Sequence, residues 1–261
     1  LDYTVDSDTA SPRMCVQYSE ELAGTAASLA PYVAVEGIPS PVLSVSDNQL
    51  CVEGLAHGER YRVTVRPGIR STLGDRIDRP ADFVFFVRDR APSARFAGNV
   101  YVLPRTAGGG VPVTTVNTDA LSLELLRIDD RGLAGAIRSG DFRRGLSPWE
   151  VRTIREETGA VVWTGTMAVE SVLNEPVTTA FPVGETVGRL EPGVYVLVAT
   201  PVESTDQWST RATQWFVVSD LGLAAYSSQD AVDDFVRSLA TAEPVEGAAV
   251  RVVARNDSIL G

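Results

Sequence analysis

The side chains that could do chemistry are few and scattered. A single histidine, His57, lies in the turn-like stretch Leu55-Ala56-His57-Gly58-Glu59. One histidine without a cysteine partner makes a poor metal site. No Gly-x-Ser-x-Gly elbow is present to build a nucleophilic triad around it. His57 is therefore read as a solvent-facing turn residue. Acids gather twice along the chain, at Asp119, Glu124, Asp129 and Asp130, and again at Asp230, Asp233 and Asp234. Paired carboxylates can hydrolyse glycosides or hold calcium. Adjacent residues of a strand point to opposite faces, so Asp129 and Asp130 would not converge while extended. No Asp-x-Asp-x-Asp-Gly loop occurs either. The first group reads as solvated turn charges and the second as a charged edge that discourages strand addition. Gly108-Gly109-Gly110 lacks the Gly-Lys-Ser/Thr that a phosphate-binding loop needs, and reads as a hairpin tip. All 23 basic residues are arginine, so lysine Schiff-base chemistry has no residue to carry it. The expectation is no enzyme, with no catalytic residue, no cofactor and no metal ligand.

Two residue types carry weaker signals. Cys15 and Cys51 are too few for a zinc cluster and do not form a Cys-x-x-Cys pair. Each sits in a strand-like run, Met14-Cys15-Val16-Gln17-Tyr18 and Gln49-Leu50-Cys51-Val52-Glu53. A disulfide within one small β domain fits, and would imply an oxidising compartment; two buried free thiols are the alternative. The aromatics Trp163, Trp208, Trp215 and Phe216 could mark a binding face. Trp215 sits in a strongly alternating run and is assigned to a core. Trp208 follows Thr205-Asp206-Gln207 in a loop and is the expected surface aromatic and partner contact.

The elements that must position these residues are strands. Runs at residues 13–18, 32–35, 42–45, 49–53, 60–66 and 83–88 are separated by turns such as Asp47-Asn48 and Pro67-Gly68. Residues 61–66, Tyr-Arg-Val-Thr-Val-Arg, alternate apolar and polar at the period of a half-buried strand. Arg88-Asp89-Arg90-Ala91-Pro92-Ser93 is polar and proline-punctuated, which marks a boundary. More strands follow at 99–103, 111–117, 122–128, 161–169, 177–181, 194–199 and 213–218. Ser147-Pro148-Trp149-Glu150 opens a short helix near 147–157, with Ser147 as N-cap, Pro148 in the first turn and Glu150 closing a capping box. Gly159 would stop it, and residues 135–144 read as an irregular loop. The fold class is all-β: tandem immunoglobulin-like antiparallel β-sandwiches with one short inserted helix. The domains are 1–92, 93–220 and a truncated third from 221–261.

Bulk properties narrow the partners. The net charge of −11 and pI of about 4.6 repel phosphate backbones and anionic lipid heads. Nucleic acid and membrane-surface binding are excluded on that ground. No stretch reaches the roughly 20 apolar residues of a membrane span, so no direct membrane insertion is expected. The chain begins at Leu1 without a signal peptide and reads as a mature piece of a longer protein.

Several segments together resemble the amino-terminal region of bacterial α2-macroglobulins. Cys51-Val52-Glu53-Gly54-Leu55 with Gly58-Glu59-Arg60-Tyr61 is similar to part of their first macroglobulin-like sandwich. Phe96-Ala97-Gly98-Asn99-Val100-Tyr101-Val102-Leu103-Pro104-Arg105 resembles the join to the next. Val116-Asn117-Thr118 through Arg127-Ile128-Asp129-Asp130-Arg131 resembles a strand pair of the family. Gln214-Trp215-Phe216-Val217-Val218-Ser219-Asp220-Leu221-Gly222 resembles the exit from that domain. Phe235-Val236-Arg237-Ser238-Leu239, Pro244-Val245 and Val252-Val253-Ala254-Arg255-Asn256 resemble the start of the following one. The resemblance implies a periplasmic inhibitor, tethered as a lipoprotein, that traps endopeptidases after they cut a bait region. It favours the Cys15–Cys51 disulfide, and it implies as partners the remaining domains of the same polypeptide, endopeptidases and a penicillin-binding cell-wall synthase. It also makes the glycosylation match at Asn256-Asp257-Ser258 accidental. One departure matters: the family thioester needs Cys-x-Glu-Gln, and Cys51-Val52-Glu53-Gly54 has glycine where the acyl-donating glutamine must stand. Bait and thioester are thus expected outside this chain. The rival readings are an immunoglobulin-like adhesion or cell-surface module, with an exposed aromatic patch or calcium site, and a hydrolase with two carboxylates about 5–10 Å apart.

Overall fold

The computed structural model describes residues 1–98, 100–103, 110–188, 190–204, 211–228 and 232–251. The chain divides into two compact units, one of Leu1–Ala91 with Val172–Glu175, the other of Pro92–Ser171 with Pro176–Gly261.

The first unit holds strands β1 (Asp2–Asp6) and β2 (Arg13–Gln17), a one-turn helix α1 (Ala26–Leu29), then β3 (Val33–Val35), β4 (Val42–Ser46), β5 (Gln49–Glu53), β6 (Arg60–Val65) and β7 (Ala81–Phe86). Antiparallel pairing gives a sheet of order β1-β2-β5-β4 and another of order β3-β6-β7. Period-2 alternation selects the face each residue takes. Met14 and Val16 of β2 and Leu50 and Val52 of β5 meet Val63, Val65, Phe83 and Phe85 of the second sheet in one core. Each such side chain contributes about 1.5–3 kcal/mol by leaving water. The expected turn at Asp47-Asn48 joins β4 to β5 through a two-residue loop, and Asp47 takes φ 49° there. Short acidic or amide residues tolerate that left-handed conformation.

The second unit contains β8 (Ser93–Phe96), β9 (Val100–Leu103), β10 (Val111–Val116), β11 (Ala120–Ile128), helices α2 (Asp130–Ser139) and α3 (Pro148–Thr153), β12 (Gly159–Ala168), β13 (Val177–Phe181), the single turn α4 (Val183–Thr186), β14 (Gly193–Pro201) and β15 (Ala212–Val218). A three-stranded sheet of order β13-β10-β8 faces a five-stranded sheet of order β12-β11-β14-β15-β9, in which only β15 and β9 run parallel. Val111, Val113 and Phe181 pack on Leu121, Leu123, Leu125, Tyr195, Leu197 and Phe216. The opposite face of the five-stranded sheet is buried too. There Leu126, Ile128, Val196, Val198 and Trp215 lie under Leu146, Val151 and Ile154 of the segment between β11 and β12. This double burial explains why residues 194–199 are apolar without a break, since a strand covered on both faces loses its alternation. Leu125 and Leu126 are both fully buried, one on each face, because neighbouring strand residues alternate and this sheet is covered on both sides; a β-bulge at this point leaves Val162 of β12 as the extra residue.

The inserted segment differs from the sequence expectation. The structure holds a ten-residue helix, α2, where residues 135–144 read as an irregular loop, followed by a short 3-10 turn at Asp141–Arg143. Asp129, read as a solvated turn charge, is the N-cap of this helix, its Oδ1 accepting the Gly132 N–H at 2.6 Å. Gly140 closes the helix with φ 82°. Glycines at 132 and 135 lower helix propensity and hide it from a reading based on periodicity. Gly132 is required by space: a Cβ there would stand 2.6 Å from the Thr158 carbonyl oxygen.

Finally, β16 (Leu221–Ser227) and β17 (Val232–Ser238) form an antiparallel two-stranded hairpin from Leu221↔Ser238 to Ser227↔Val232. Its large apolar residues Leu223, Tyr226, Val232 and Phe235 are exposed.

Candidate functional site

Several of the residues singled out for chemistry are engaged in local structural contacts. Cys15 and Cys51 face each other across β2 and β5 and are joined in a disulfide, with Cα atoms 4.0 Å apart. Since Met14, Val16, Leu50 and Val52 point into the core, alternation places the disulfide on the opposite face of that sheet. His57 Nε2 lies 2.9 Å from the Ser7 carbonyl oxygen; a carbonyl only accepts, so that nitrogen carries the proton and donates.

Among the described residues the acids take separate places. Asp129 caps α2 and Asp130 stands in its first turn, where a negative charge favours the helix dipole. Glu124 accepts a two-point hydrogen bond from Arg155, Nε to Oε1 at 2.8 Å and Nη2 to Oε2 at 2.5 Å. This bond pushes the Arg155 guanidinium up from its ordinary value. Asp233 and Asp234 sit on opposite faces of β17, opposite Tyr226 and Ala225. Among the described residues no three of histidine, cysteine, aspartate and glutamate form a metal-holding group. Asp230, Gly108, Gly109, Trp208, residues 252–256 of the resemblance and Asn256-Asp257-Ser258 lie outside the described residues.

The most organised polar cluster sits in the insert. Ser147 caps α3: its Oγ accepts the Glu150 N–H at 3.3 Å, while Glu150 Oε2 accepts the Ser147 N–H at 2.7 Å. Arg144 joins this capping box. Its Nη1 donates to Glu150 Oε2 at 3.1 Å, and its Nη2 bonds Glu150 and Asp141. The Arg144 hydrogen bonds hold the Glu150 carboxyl down at about 2, against the opposing effect of burial. The Leu146 N–H donates to Thr213 Oγ1 of β15 at 2.7 Å, and Arg155 grips β11 through Glu124, so the insert is tied to the sheet at both ends. Beneath it, Trp215 is 1% exposed and stands edge-on to Phe142 at 5.3 Å. Trp163 is half-buried against Phe181 at 5.5 Å. Trp149, which the sequence reading did not single out, is 66% exposed. Its position at the second residue of α3, before the first core-facing turn at Val151, was the available signal.

This arrangement can brace the insert against the sheet and present a surface. No helix among the described residues is long and apolar enough to cross a membrane.

Comparison with known proteins agrees with this architecture. Residues 95–216 match the family described as the bacterial alpha-2 macroglobulin MG2 domain. The alpha-2-macroglobulin of Xylella fastidiosa (strain 9a5c) is 24% identical over 210 residues, which is 77% of this chain and 13% of that protein. That of Escherichia coli (strain K12) is 24% identical over 191 residues, 73% of this chain and 11% of that protein. The chain therefore spans only a small part of the curated relatives it matches. A crystal structure of Salmonella alpha-2-macroglobulin has a TM-score of 0.62 at 19% identity, covering 100% of this chain and 16% of its own. Native E. coli alpha-2-macroglobulin spanning domains MG0-NIE-MG1 has a TM-score of 0.53 at 20% identity, covering 100% of this chain and 84% of its own. At such identity the structural likeness fixes the fold and not the ordinal of a domain, which rests on the sequence match. Residues 95–216 are thus similar to the bacterial alpha-2 macroglobulin MG2 domain, and about three quarters of the chain is similar to bacterial alpha-2-macroglobulins.

Proposed function

We propose that this chain is a non-catalytic scaffold segment of a bacterial broad-range endopeptidase inhibitor, which cages a protease after the protease cuts a bait elsewhere in the polypeptide. The observation that carries the reading is the MG2 match over residues 95–216, laid on a two-sheet unit whose larger sheet is buried on both faces. Such a unit acts by shape: it holds distant parts of a larger chain in place while they rearrange. Cys51-Val52-Glu53-Gly54 has no acyl-donating glutamine, so covalent capture belongs to another part of the polypeptide. The apolar hairpin β16–β17 opens a third macroglobulin-like domain from residue 221, following first and second domains at 1–92 and 93–220. The disulfide supports an oxidising compartment, here the periplasm, with the parent tethered as a lipoprotein close to a penicillin-binding cell-wall synthase.

The test uses the parent inhibitor with residues 93–220 removed. Bait cleavage should persist while the attacking protease keeps its activity on a large protein substrate. A shortened parent that still shields large substrates as well as the intact one would contradict the scaffold role.

A further inference from the structure

After β7 the chain runs through Arg88-Asp89-Arg90-Ala91-Pro92, an irregular connection that leads into β8. The peptide bonds after Arg88 and Arg90 are of the kind that arginine-specific proteases cut. Arg88 and Asp89 are exposed, and exposed polar connections are where proteolytic nicking concentrates. Yet the polar groups of this connection are gathered by two side chains 80 to 85 positions away in sequence. Asn174 Oδ1 accepts the Arg90 N–H at 2.8 Å, and Asn174 Nδ2 donates to Asp89 Oδ1 at 2.8 Å. The Arg90 guanidinium folds back onto the same residue: its Nη1 donates to the Asn174 carbonyl oxygen at 3.1 Å, and its Nε is buried. Asp8 takes the rest. Its Oδ1 accepts the Ala91 N–H at 2.8 Å, and its Oδ2 pairs with Arg88 Nη2 at 2.5 Å. Asn174 is the third residue of the turn Val172–Glu175, a segment that belongs to the first unit. Its φ of 63° lies in the left-handed region, which short amide side chains tolerate.

We propose that Asn174 and Asp8 form a clasp that closes the connection at residues 88–91 to arginine-specific proteases. Such a protease takes the arginine into an acidic pocket and pairs with extended backbone around the bond it cuts. At the Arg90–Ala91 bond the arginine side chain and the N–H groups on both sides are already engaged. Each contact is individually weak at an exposed site. Acting together, they withhold the backbone and the side chain at once, so that cutting waits for the clasp to open. The inference stands on contacts of the first unit and holds whatever the parent polypeptide does. In a parent that offers a bait to proteases, the clasp leaves the bait as the preferred cut.

The test is limited digestion of the 261-residue chain by catalytic amounts of trypsin, with fragments identified by mass and the rate of each cut followed separately. The reference is a synthetic peptide of residues 84–96, in which neither Asn174 nor Asp8 is present. Asn174→Gly removes the amide and keeps a residue that takes positive φ without strain. Asp8→Ala removes the other half of the clasp. Thermal midpoints verify that each variant folds. The intact chain should be cut after Arg88 and Arg90 roughly tenfold or more slowly than the peptide, since cleavage tracks the open population. Each variant should be cut at these two bonds roughly tenfold faster than the intact chain, with the rates at other bonds unchanged. The proposal is overturned if the intact chain is cut there as fast as the peptide, or if either folded variant keeps the intact chain's rate. It is likewise overturned if both variants speed every cut equally, which marks a loosened fold and not an opened clasp.

Discussion

Cys15 and Cys51 close a span of 36 residues between β2 and β5, on the face of their sheet opposite the core. Cross-linking a span of that length contributes about 2–4 kcal/mol. Replacing both cysteines with alanine should lower the first unit's stability by that order in urea titration. Tyr18 makes a different prediction. Burial pushes its phenol up to about 12, and its hydroxyl has no partner in the structure. The folded state keeps it neutral, so its contribution is whole below pH 10 and is lost as pH rises from 10 toward 12. Tyr18→Phe should therefore flatten the alkaline loss of stability without lowering stability at pH 7, as urea midpoints at both pH values would report. At this scale the sequence displayed the strand-borne cysteines plainly, because each sat in an apolar alternating run. It could not display the fate of Tyr18, or of Asp129 as a cap, because both depend on what packs beside them.

The insert shows what elements add. α3 was legible because Ser147, Pro148 and Glu150 form a local code that needs no tertiary partner. α2 was not, because Gly132 and Gly135 weaken the helical pattern; Gly132 is there for a close approach to Thr158 that only the fold reveals. The double burial of β14 was written in its unbroken apolar run, yet a sequence reading attaches that run to a strand without saying what covers each face. Two variants probe the insert. Arg144→Ala should let the Glu150 carboxyl titrate near its ordinary value of 4.5 instead of about 2, as its side-chain carbon resonance would show. By linkage, the wild-type insert keeps the stabilisation of that pair above about pH 4.5 and loses it as pH falls toward 2. Val151→Ala empties a fully buried position under α3 and should cost about 2 kcal/mol of the second unit's stability in denaturant.

At the scale of the whole molecule, each unit has its own core and its own reporter. Trp149, Trp163 and Trp215 belong to the second unit, and the disulfide belongs to the first. Reduction should therefore move the first unit's share of the tyrosine-absorbance change, from Tyr3, Tyr18, Tyr32 and Tyr61, and leave the tryptophan fluorescence transition where it was. A shift of both together would mean that the units unfold as one. The all-β architecture was legible throughout, since turns and short alternating runs recur along the chain. The Arg155–Glu124 tie of the insert to the sheet was not legible, because the two residues are 31 positions apart and meet only through the fold. The central proposal is that this chain works by shape, as a scaffold segment. It is tested most directly by incubating the purified chain with an equimolar amount of trypsin and with labelled methylamine. The account predicts undiminished trypsin activity on a large protein substrate and no label retained after denaturation; stoichiometric inhibition or covalent label would contradict it.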